Sequence, residues 1–371
     1  MGSSHGGASA LVALCFLAEL ALRGAGAAGE PLVPAIFVFG DSTVDVGNNN
    51  FLPGCKADCR ANYPLYGVDY PSGEPTGRFS NGYNLADHIA RFLGFPESPP
   101  AYGSLPLEGI IGQMMSGINF ASGGSGLQDV TGKALCGRVH SMSDQLDRFT
   151  SVVQMMGNGS YDLASRSLVF ISVGSNDLFE YAGGNATLAP TRNDTAFLQG
   201  LVASYRSYLQ ELYAAGARKF SIVSPSLVGC CPTQRFAGWL KNDTDGYGCF
   251  GTANNLSRQL YPMVLSMLED LSLGLDGMNY SICDSAALAD SVFNRTVSPM
   301  AVLDTGCCGG SGRFGSAKCD KSATLCPNRA DYLFWDGFHP TETASAVPAL
   351  AIFADPGMFV HPINISTLAA L

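Results

Sequence analysis

Polar residues that could carry out catalysis follow apolar segments of this sequence. Ser42 comes shortly after residues 35–39, and Asn176 follows another such segment. Near the other end of the chain, Asp336 and His339 are three residues apart, so the carboxylate can meet the imidazole Nδ1 within one turn. A serine, a histidine base, a carboxylate that orients the base and donors for a tetrahedral oxyanion are the parts of a nucleophilic acyl hydrolase.

The elements that must position these residues alternate along the chain. Four short apolar segments predict buried strands, namely residues 35–39, 118–121, 168–172 and 219–223. Apolar residues at helical spacing predict helices over residues 81–93, 141–156, 195–215 and 254–273, and another from Thr341. Pro262 could kink the helix over residues 254–273. This alternation builds a parallel sheet with helices on both faces, and ligands bind beyond the carboxyl ends of its strands.

Composition excludes several classes of protein. Of the 371 residues, 46% are hydrophobic and 14% are charged, which excludes intrinsic disorder. The net charge of -10 and the lack of a basic run speak against a nucleic-acid partner and against an anionic membrane surface. The length allows one to three domains, and since no repeat or linker divides the chain, we expect a single domain over residues 29–371.

The N-terminal residues are typical of a secretory signal peptide. Residues 10–22 are mostly apolar, and Arg23 precedes a stretch of small residues that suits a cleavage site. We predict that residues 1–28 are removed. The apolar run is shorter than the roughly 20 residues of a membrane span, although a membrane anchor or a core helix is the alternative interpretation. No later run approaches that length, so we expect no membrane-spanning segment in the mature chain.

The cysteines indicate disulfide bonds and an oxidising compartment. The chain has 12 Cys, and its adjacent pairs, at 230–231 and 307–308, suit disulfides to distant partners better than one tetrahedral metal. We expect Cys55 and Cys59 to be joined, and the four cysteines between residues 307 and 326 to pin a glycine-rich loop. Removal of the leader takes Cys15 with it, which leaves an odd number and at least one unpaired thiol.

Glycosylation sequons support a secreted protein. About three Asn-x-Ser/Thr sequons would arise by chance at this composition, and more are present. They begin at Asn158, Asn185, Asn193, Asn242, Asn255, Asn279, Asn294 and Asn364.

Four motifs together resemble the plant GDSL esterase/lipases of the SGNH hydrolase superfamily. They are FVFGDSTVDVGNNN at residues 37–50, NFASGGSG at 119–126, VGSND at 173–177 and FWDGFHPT at 334–341. The similarity covers roughly residues 34–348, with the motifs in the order of the family. Thr43 stands where the name-giving leucine would be, which is a common plant variant.

The resemblance implies a fold, an activity and a set of site residues. The implied fold is α/β, a three-layer α/β/α arrangement with a mostly parallel sheet, the flavodoxin-like SGNH hydrolase fold. The implied activity is ester hydrolysis without a metal or an organic cofactor. In these roles Ser42 is the nucleophile, His339 the base and Asp336 its orienting acid. The Ser42 N–H, Gly123 and the Asn176 side chain would donate to the oxyanion.

Other interpretations of these residues stay open at this stage. His140 is the alternative base, and Asn176 could simply hold a turn. Asp177 is expected to hold a loop or cap a helix rather than take part in the chemistry. Asp45 and the asparagines at residues 48–50 are expected to brace the loop after the nucleophile. No Gly-x-Ser-x-Gly motif is centred on a serine, so the usual α/β-hydrolase elbow has no candidate.

These observations predict a secreted, glycosylated, monomeric serine esterase of the cell wall or apoplast. Its substrate would be a small-molecule or polymer ester, either a lipid acyl ester or an acetyl ester on cell-wall polysaccharide, cleaved through an acyl-enzyme on Ser42. Two alternatives differ in class. One is acyl transfer to an alcohol acceptor, and the other is a binding protein that kept the fold without catalysis.

Overall fold

The computed structural model describes residues 30–184, 192–296, 298–310 and 312–371. The predicted signal peptide at residues 1–28, Cys15 and the sequon at Asn185 lie outside these ranges.

A six-stranded sheet forms the centre of the fold. The strands in chain order are β1 (Ile36–Gly40), β2 (Gly117–Asn119), β3 (Leu168–Ser172), β4 (Lys219–Val223), β5 (Asn279–Cys283), β6 (Val302–Gly306), β7 (Tyr332–Phe334) and β8 (Val360–Pro362). The central sheet has the order β2-β1-β3-β4-β5-β8, while β6 and β7 pair separately. Its first five strands are parallel, and only β8 runs antiparallel, against β5. The strand order 2-1-3-4-5 is that of flavodoxin-like sheets.

Helices cover both faces of this sheet. They are α1 (Leu85–Phe92), α2 (Ile110–Met114), α3 (Lys133–Cys136), α4 (Met142–Met156), α5 (Ser160–Arg166), α6 (Ser175–Gly183), α7 (Asp194–Ala214), α8 (Pro232–Leu240), α9 (Gly251–Gly274), α10 (Ser285–Phe293), α11 (Glu342–Ala354) and α12 (Ile365–Ala370). Successive side chains of a strand point to opposite faces. Phe37 and Phe39 of β1 therefore pack with α4, α7 and α9, whereas Ile36 and Val38 pack with α1, α11 and α12. The result is the expected three-layer α/β/α fold with a mostly parallel sheet.

Most predicted elements are present with small shifts. The strands over residues 168–172 and 219–223 are confirmed, and β1 begins one residue later than expected. The helix predicted over residues 81–93 begins only at Leu85, because the Asn84 side chain caps its first turn by accepting a hydrogen bond from the Asp87 N–H. Pro262 lies inside α9, which continues through it.

The disulfide pattern corrects one prediction. Cys55 and Cys59 are not joined: Cys59 is bonded to Cys136, and Cys55 is a free, buried thiol. The expected loop near residue 310 is confirmed, pinned by the bonds Cys307–Cys326 and Cys308–Cys319. A fourth bond joins Cys230 to Cys249. Two other described cysteines, Cys231 and Cys283, are also free and buried.

Within the described ranges, no helix combines the length and the apolar character needed to cross a membrane.

Candidate active site

Ser42 lies just beyond the carboxyl end of β1, where the chain turns sharply. Gly40 has a φ of 138°, and a Cβ there would lie 1.9 Å from the carbonyl oxygen of Ser172 on β3, so only glycine fits. The Gln145 side chain of α4 fixes the turn, since it accepts from the Gly40 N–H at 2.9 Å and donates to the Gly40 carbonyl at 3.0 Å. Ser42, the predicted nucleophile, therefore lies at a fixed strand end, at the point between β1 and β3 where the strand order reverses.

Ser42, His339 and Asp336 form one hydrogen-bonded chain. The Ser42 Oγ is 2.8 Å from His339 Nε2. The other ring nitrogen, Nδ1, lies 2.9 Å and 2.8 Å from the two carboxylate oxygens of Asp336. This geometry leaves Nε2 free to accept the serine proton, as a base in acyl transfer must. His339, and not the alternative His140, is the histidine that contacts Ser42.

The Asp336 carboxylate is held by donors on several sides. Its Oδ1 accepts the backbone N–H groups of Phe338 and His339, both at 2.8 Å, and its Oδ2 accepts the Tyr66 hydroxyl at 2.7 Å. Burial alone would raise the pKa of Asp336, but the positive charge of His339 and these hydrogen bonds outweigh it and lower the pKa below its usual value. Asp336 is therefore stabilised as a carboxylate beside the His339 ring.

Two aromatic residues of the loop before α1 support the triad, and neither was predicted from the sequence. Phe79 packs on the His339 ring, with ring centroids 4.8 Å apart. Tyr66 donates to Asp336 and packs edge-on against Tyr63, whose hydroxyl donates instead to the Cys319 carbonyl. No motif marks these residues in the sequence, because the loop has no regular periodicity and its aromatics look like ordinary core residues.

The candidate oxyanion donors differ in whether they still have a hydrogen free to bind an oxyanion. The Ser42 N–H has no hydrogen-bond partner among the described residues. Asn176, near the start of α6, donates from Nδ2 to the Ser125 carbonyl at 2.8 Å, which leaves its second amide hydrogen free. The Gly123 N–H, however, donates to Asp45 Oδ2 at 2.9 Å. Its expected role is at odds with that bond, whereas the Gly124 N–H has no partner in the described chain.

Asp45 connects the loop that follows the nucleophile to the glycine-rich loop after β2. Its Oδ1 accepts the N–H groups of Gly47 and Asn48 at 2.7 Å and 2.8 Å, and its Oδ2 accepts the Gly123 N–H. Asn49 adds to the connection by donating to the Gly123 carbonyl at 2.9 Å. Burial raises the pKa of Asp45 to about 6, although the backbone N–H groups that it accepts lower it. The predicted bracing of this loop is confirmed.

Asp177 has the loop-holding role expected for it. Its carboxylate accepts the N–H groups of Leu127 and Gln128 and the hydroxyl of Thr131. These bonds fix the segment after the glycine-rich loop beside α6. Asp177 therefore acts on the architecture around Asn176 and does not reach the reacting atoms.

The triad opens into a cavity of about 400 Å³. Ser42, His339, Asn176, Gly123 and Gly124 border it, together with many apolar side chains. Among the described residues, no group of three or more His, Cys, Asp or Glu side chains is placed to hold a metal ion.

Comparison with known proteins identifies the family. The model of the GDSL-like lipase/acylhydrolase family matches residues 36–352, a span that contains all three triad residues. The chain belongs to this family. Like other GDSL esterase/lipases, it is a carboxylic ester hydrolase.

Curated relatives of this GDSL esterase/lipase include plant proteins. Arabidopsis thaliana GDSL esterase/lipase At1g71691 is 36% identical over 351 residues, which cover 92% of this chain and 87% of the relative. Arabidopsis GDSL esterase/lipase At1g33811 is also 36% identical, over 350 residues that cover 91% of this chain and 92% of the relative. The similarity therefore extends over nearly the whole of each chain.

Proposed function

We propose that this esterase cleaves carboxylic esters through an acyl-enzyme on Ser42. The contact of Ser42 Oγ with His339 Nε2 at 2.8 Å carries the proposal. His339 takes the hydroxyl proton as Ser42 attacks the ester carbonyl, and then protonates the leaving alcohol as the tetrahedral intermediate collapses. Water, deprotonated by His339, attacks the acyl-enzyme and releases the acid. Asp336 stabilises the imidazolium in both half-reactions.

The proposed oxyanion donors are the Ser42 N–H, the free Nδ2 hydrogen of Asn176 and the Gly124 N–H. We assign Gly124 in place of Gly123 because the Gly123 N–H is engaged by Asp45. The Asp45 bond then has a different purpose, since it fixes the peptide that precedes the donor. Fixed donors of this kind stabilise the oxyanion without reorganising during the reaction.

Covalent labelling tests the nucleophile. A fluorophosphonate probe should label the wild-type enzyme once, at Ser42, and Ser42→Ala should abolish both labelling and hydrolysis of p-nitrophenyl acetate while the far-UV circular dichroism stays unchanged. Ser175→Ala is the matched control, because Ser175 borders the same cavity and should leave the labelling intact. Full activity of folded Ser42→Ala would refute the proposal and favour another mechanism.

The structure of the phosphonylated enzyme tests the oxyanion assignment. We expect the phosphoryl oxygen on Ser42 to lie about 3 Å from the backbone nitrogens of Ser42 and Gly124 and from Asn176 Nδ2. A phosphoryl oxygen bound by Gly123, with the Asp45 contact broken, would reverse the assignment.

We propose further that the enzyme is a secreted glycoprotein. Four disulfide bonds support this, because they persist in oxidising compartments. The asparagines of five sequons are exposed at the surface, at Asn158, Asn193, Asn242, Asn255 and Asn294. Plant cells expressing the full chain should release a protein whose mass falls on treatment with a peptide N-glycosidase that tolerates plant glycans, and deletion of residues 1–28 should keep it inside the cell.

A further inference from the structure

The cavity at Ser42 extends away from the glycine-rich loop into a space between α10 and α11. Six apolar residues define this extension, which we call the apolar arm: Leu227, Leu288, Val292, Met300, Ala344 and Val347. Leu227 follows β4, and α10 follows β5, so the arm lies on the β4–β5 side of the sheet. The glycine-rich loop follows β2, on the other side of β1. Ser42 thus stands between the two parts of the cavity.

The walls of the apolar arm are largely buried and offer little to a polar ligand. Leu288 is 5% exposed, Met300 1% and Ala344 4%. The nearby hydroxyls of Ser224 and Ser226 donate to the backbone carbonyls of Cys283 and Ser285, so they are already satisfied. A sugar with several hydroxyls placed in the arm would lose more hydrogen bonds to water than this mostly apolar wall could replace.

Two polar atoms that border the cavity do not change this conclusion. Ser285 Oγ and Gln234 Oε1 have no hydrogen-bond partner in the described chain, but both atoms are themselves fully covered by protein. Neither can meet a ligand without a rearrangement of its neighbours.

The other side of the cavity is open to solvent. There it is bordered by exposed Asp58, by half-buried Glu180 and by Leu135, whose side chain is 64% exposed. During the first half-reaction the alcohol must depart and water must take its place, whereas the acyl group stays bound to Ser42. The open side therefore suits the alcohol, and the largely buried apolar arm suits the part of the substrate that remains.

We propose that the apolar arm holds the acyl chain, so that the enzyme is selective for esters of fatty acids rather than for acetyl groups on polysaccharides. This proposal rests on the acyl-enzyme mechanism proposed above. A cavity of 400 Å³ has room for about a dozen groups of the size of water, a size similar to that of a methylene. The arm is one part of this cavity, so the chain that it accepts is shorter than about a dozen carbons.

Two series of substrates test the proposal on the wild-type enzyme. Along p-nitrophenyl acetate, butyrate, hexanoate and octanoate, kcat/KM should rise by about two- to fourfold per methylene, the factor expected for burying each CH₂. Along ethyl, butyl and octyl acetate, in which only the alcohol lengthens, kcat/KM should change by less than about threefold. A preference for acetate in the first series would overturn the proposal, and so would chain-length dependence confined to the second.

Variants that fill the arm from opposite walls give a second test. Ala289→Trp on α10 and Val347→Trp on α11 place an indole in the cavity from two half-buried positions. Each should lower kcat/KM on the octanoate by at least about 30-fold and on the acetate by less than about threefold. Ala346→Trp is the matched control, because Ala346 is half-buried on the same helix as Val347 and does not border the cavity. Equal losses on both esters in both arm variants would contradict the proposal.

A ligand-binding experiment distinguishes an error in the proposed acyl-chain site from an error in the proposed catalytic mechanism. Decanoic acid should raise the melting temperature of Ser42→Ala, and acetic acid at the same concentration should not, because a ligand that binds only the folded state stabilises it. We expect decanoic acid not to raise the melting temperature of the double variant Ser42→Ala/Val347→Trp. That result would show that the fatty acid chain binds in the apolar arm. A Ser42→Ala enzyme that still hydrolyses esters refutes the mechanism, whereas no response to decanoic acid refutes the arm.

Discussion

The hydroxyl of Tyr66 allows a test of how the triad acid is held. Tyr66→Phe removes one of the donors to the Asp336 carboxylate and keeps the ring, which is buried and packs edge-on against Tyr63. The backbone N–H groups of Phe338 and His339 and the His339 ring still donate to Asp336. We therefore expect a folded enzyme with a changed triad, not an inactive one.

The size of the effect follows from the number and type of these bonds. A hydrogen bond to a charged group contributes about 1.5–3 kcal/mol, so the free energy of unfolding should fall by about 2 kcal/mol. With the other donors in place, kcat should fall only about three- to tenfold. The Tyr66 hydrogen bond is one of the contacts that lower the pKa of Asp336, so its loss raises that pKa, and Asp336 must be ionised to orient His339. The acid limb of the kcat/KM profile should then move to higher pH by about half a unit.

The assay is the pH profile of p-nitrophenyl ester hydrolysis, measured together with urea unfolding. Tyr63→Phe is the control, because its hydroxyl donates to the neutral Cys319 carbonyl at 2.9 Å and not to the triad. This variant should lose stability without moving the acid limb. A Tyr66→Phe profile that superimposes on that of wild type, or a Tyr63→Phe profile that shifts equally, would refute the role given to the Tyr66 hydroxyl.

Three further changes probe other parts of the structure. Asn176→Ala should lower kcat on p-nitrophenyl acetate by about 10²–10³-fold with a smaller change in KM, and an unchanged kcat would remove Asn176 from the oxyanion donors. The double variant Cys308→Ser/Cys319→Ser removes a disulfide with a sequence separation of 11, so its free energy of unfolding in urea should fall by about 2–3 kcal/mol. An unchanged free energy of unfolding would show that this disulfide does not stabilise the fold. Burial raises the pKa of Asp177 from its ordinary value of 3.8 to about 6, despite the hydrogen bonds that it accepts. Its protonation therefore stabilises the fold fully below about pH 4, and this contribution is lost as the pH rises through 6. Relative to Asp177→Asn, the wild-type protein should gain about 2 kcal/mol of unfolding free energy between pH 7 and pH 4, and a pH-independent difference would contradict this.

Elements with a strong local pattern could be predicted from the sequence. The apolar segments became β1, β3 and β4 because a strand buried on both faces is apolar throughout. By contrast, β5 contains Ser281, which is buried at its centre, so no continuous apolar run marked it. The strands β6 and β8 were missed as well. The edge strand β8 is only three residues long and pairs with β5 over a large sequence separation, which no local pattern can reveal.

The features of the site also divide into those that local motifs predict and those that depend on distant contacts. The positions of Ser42, Asp336 and His339 follow from motifs, and the structure brings them into contact. The choice between Gly123 and Gly124 depended on which amide Asp45 engages, and that contact joins residues far apart in the chain. The pairing of Cys59 with Cys136 rather than with its neighbour Cys55 is also a long-range fact, with a sequence separation of 77. Interactions between distant segments were therefore the part that the sequence left undetermined.

The Cys59–Cys136 bond has a consequence for how substrate enters. Both cysteines border the cavity, and the bond ties the segment after the nucleophile to α3, which carries the exposed Leu135 at the opening. The bond prevents these two rim segments from moving apart as a lid does, and we expect an ester to be admitted by side-chain rotation, on a picosecond-to-nanosecond timescale. The enzyme should consequently obey simple saturation kinetics on dissolved esters, with no jump in rate when the substrate concentration passes the point at which micelles form.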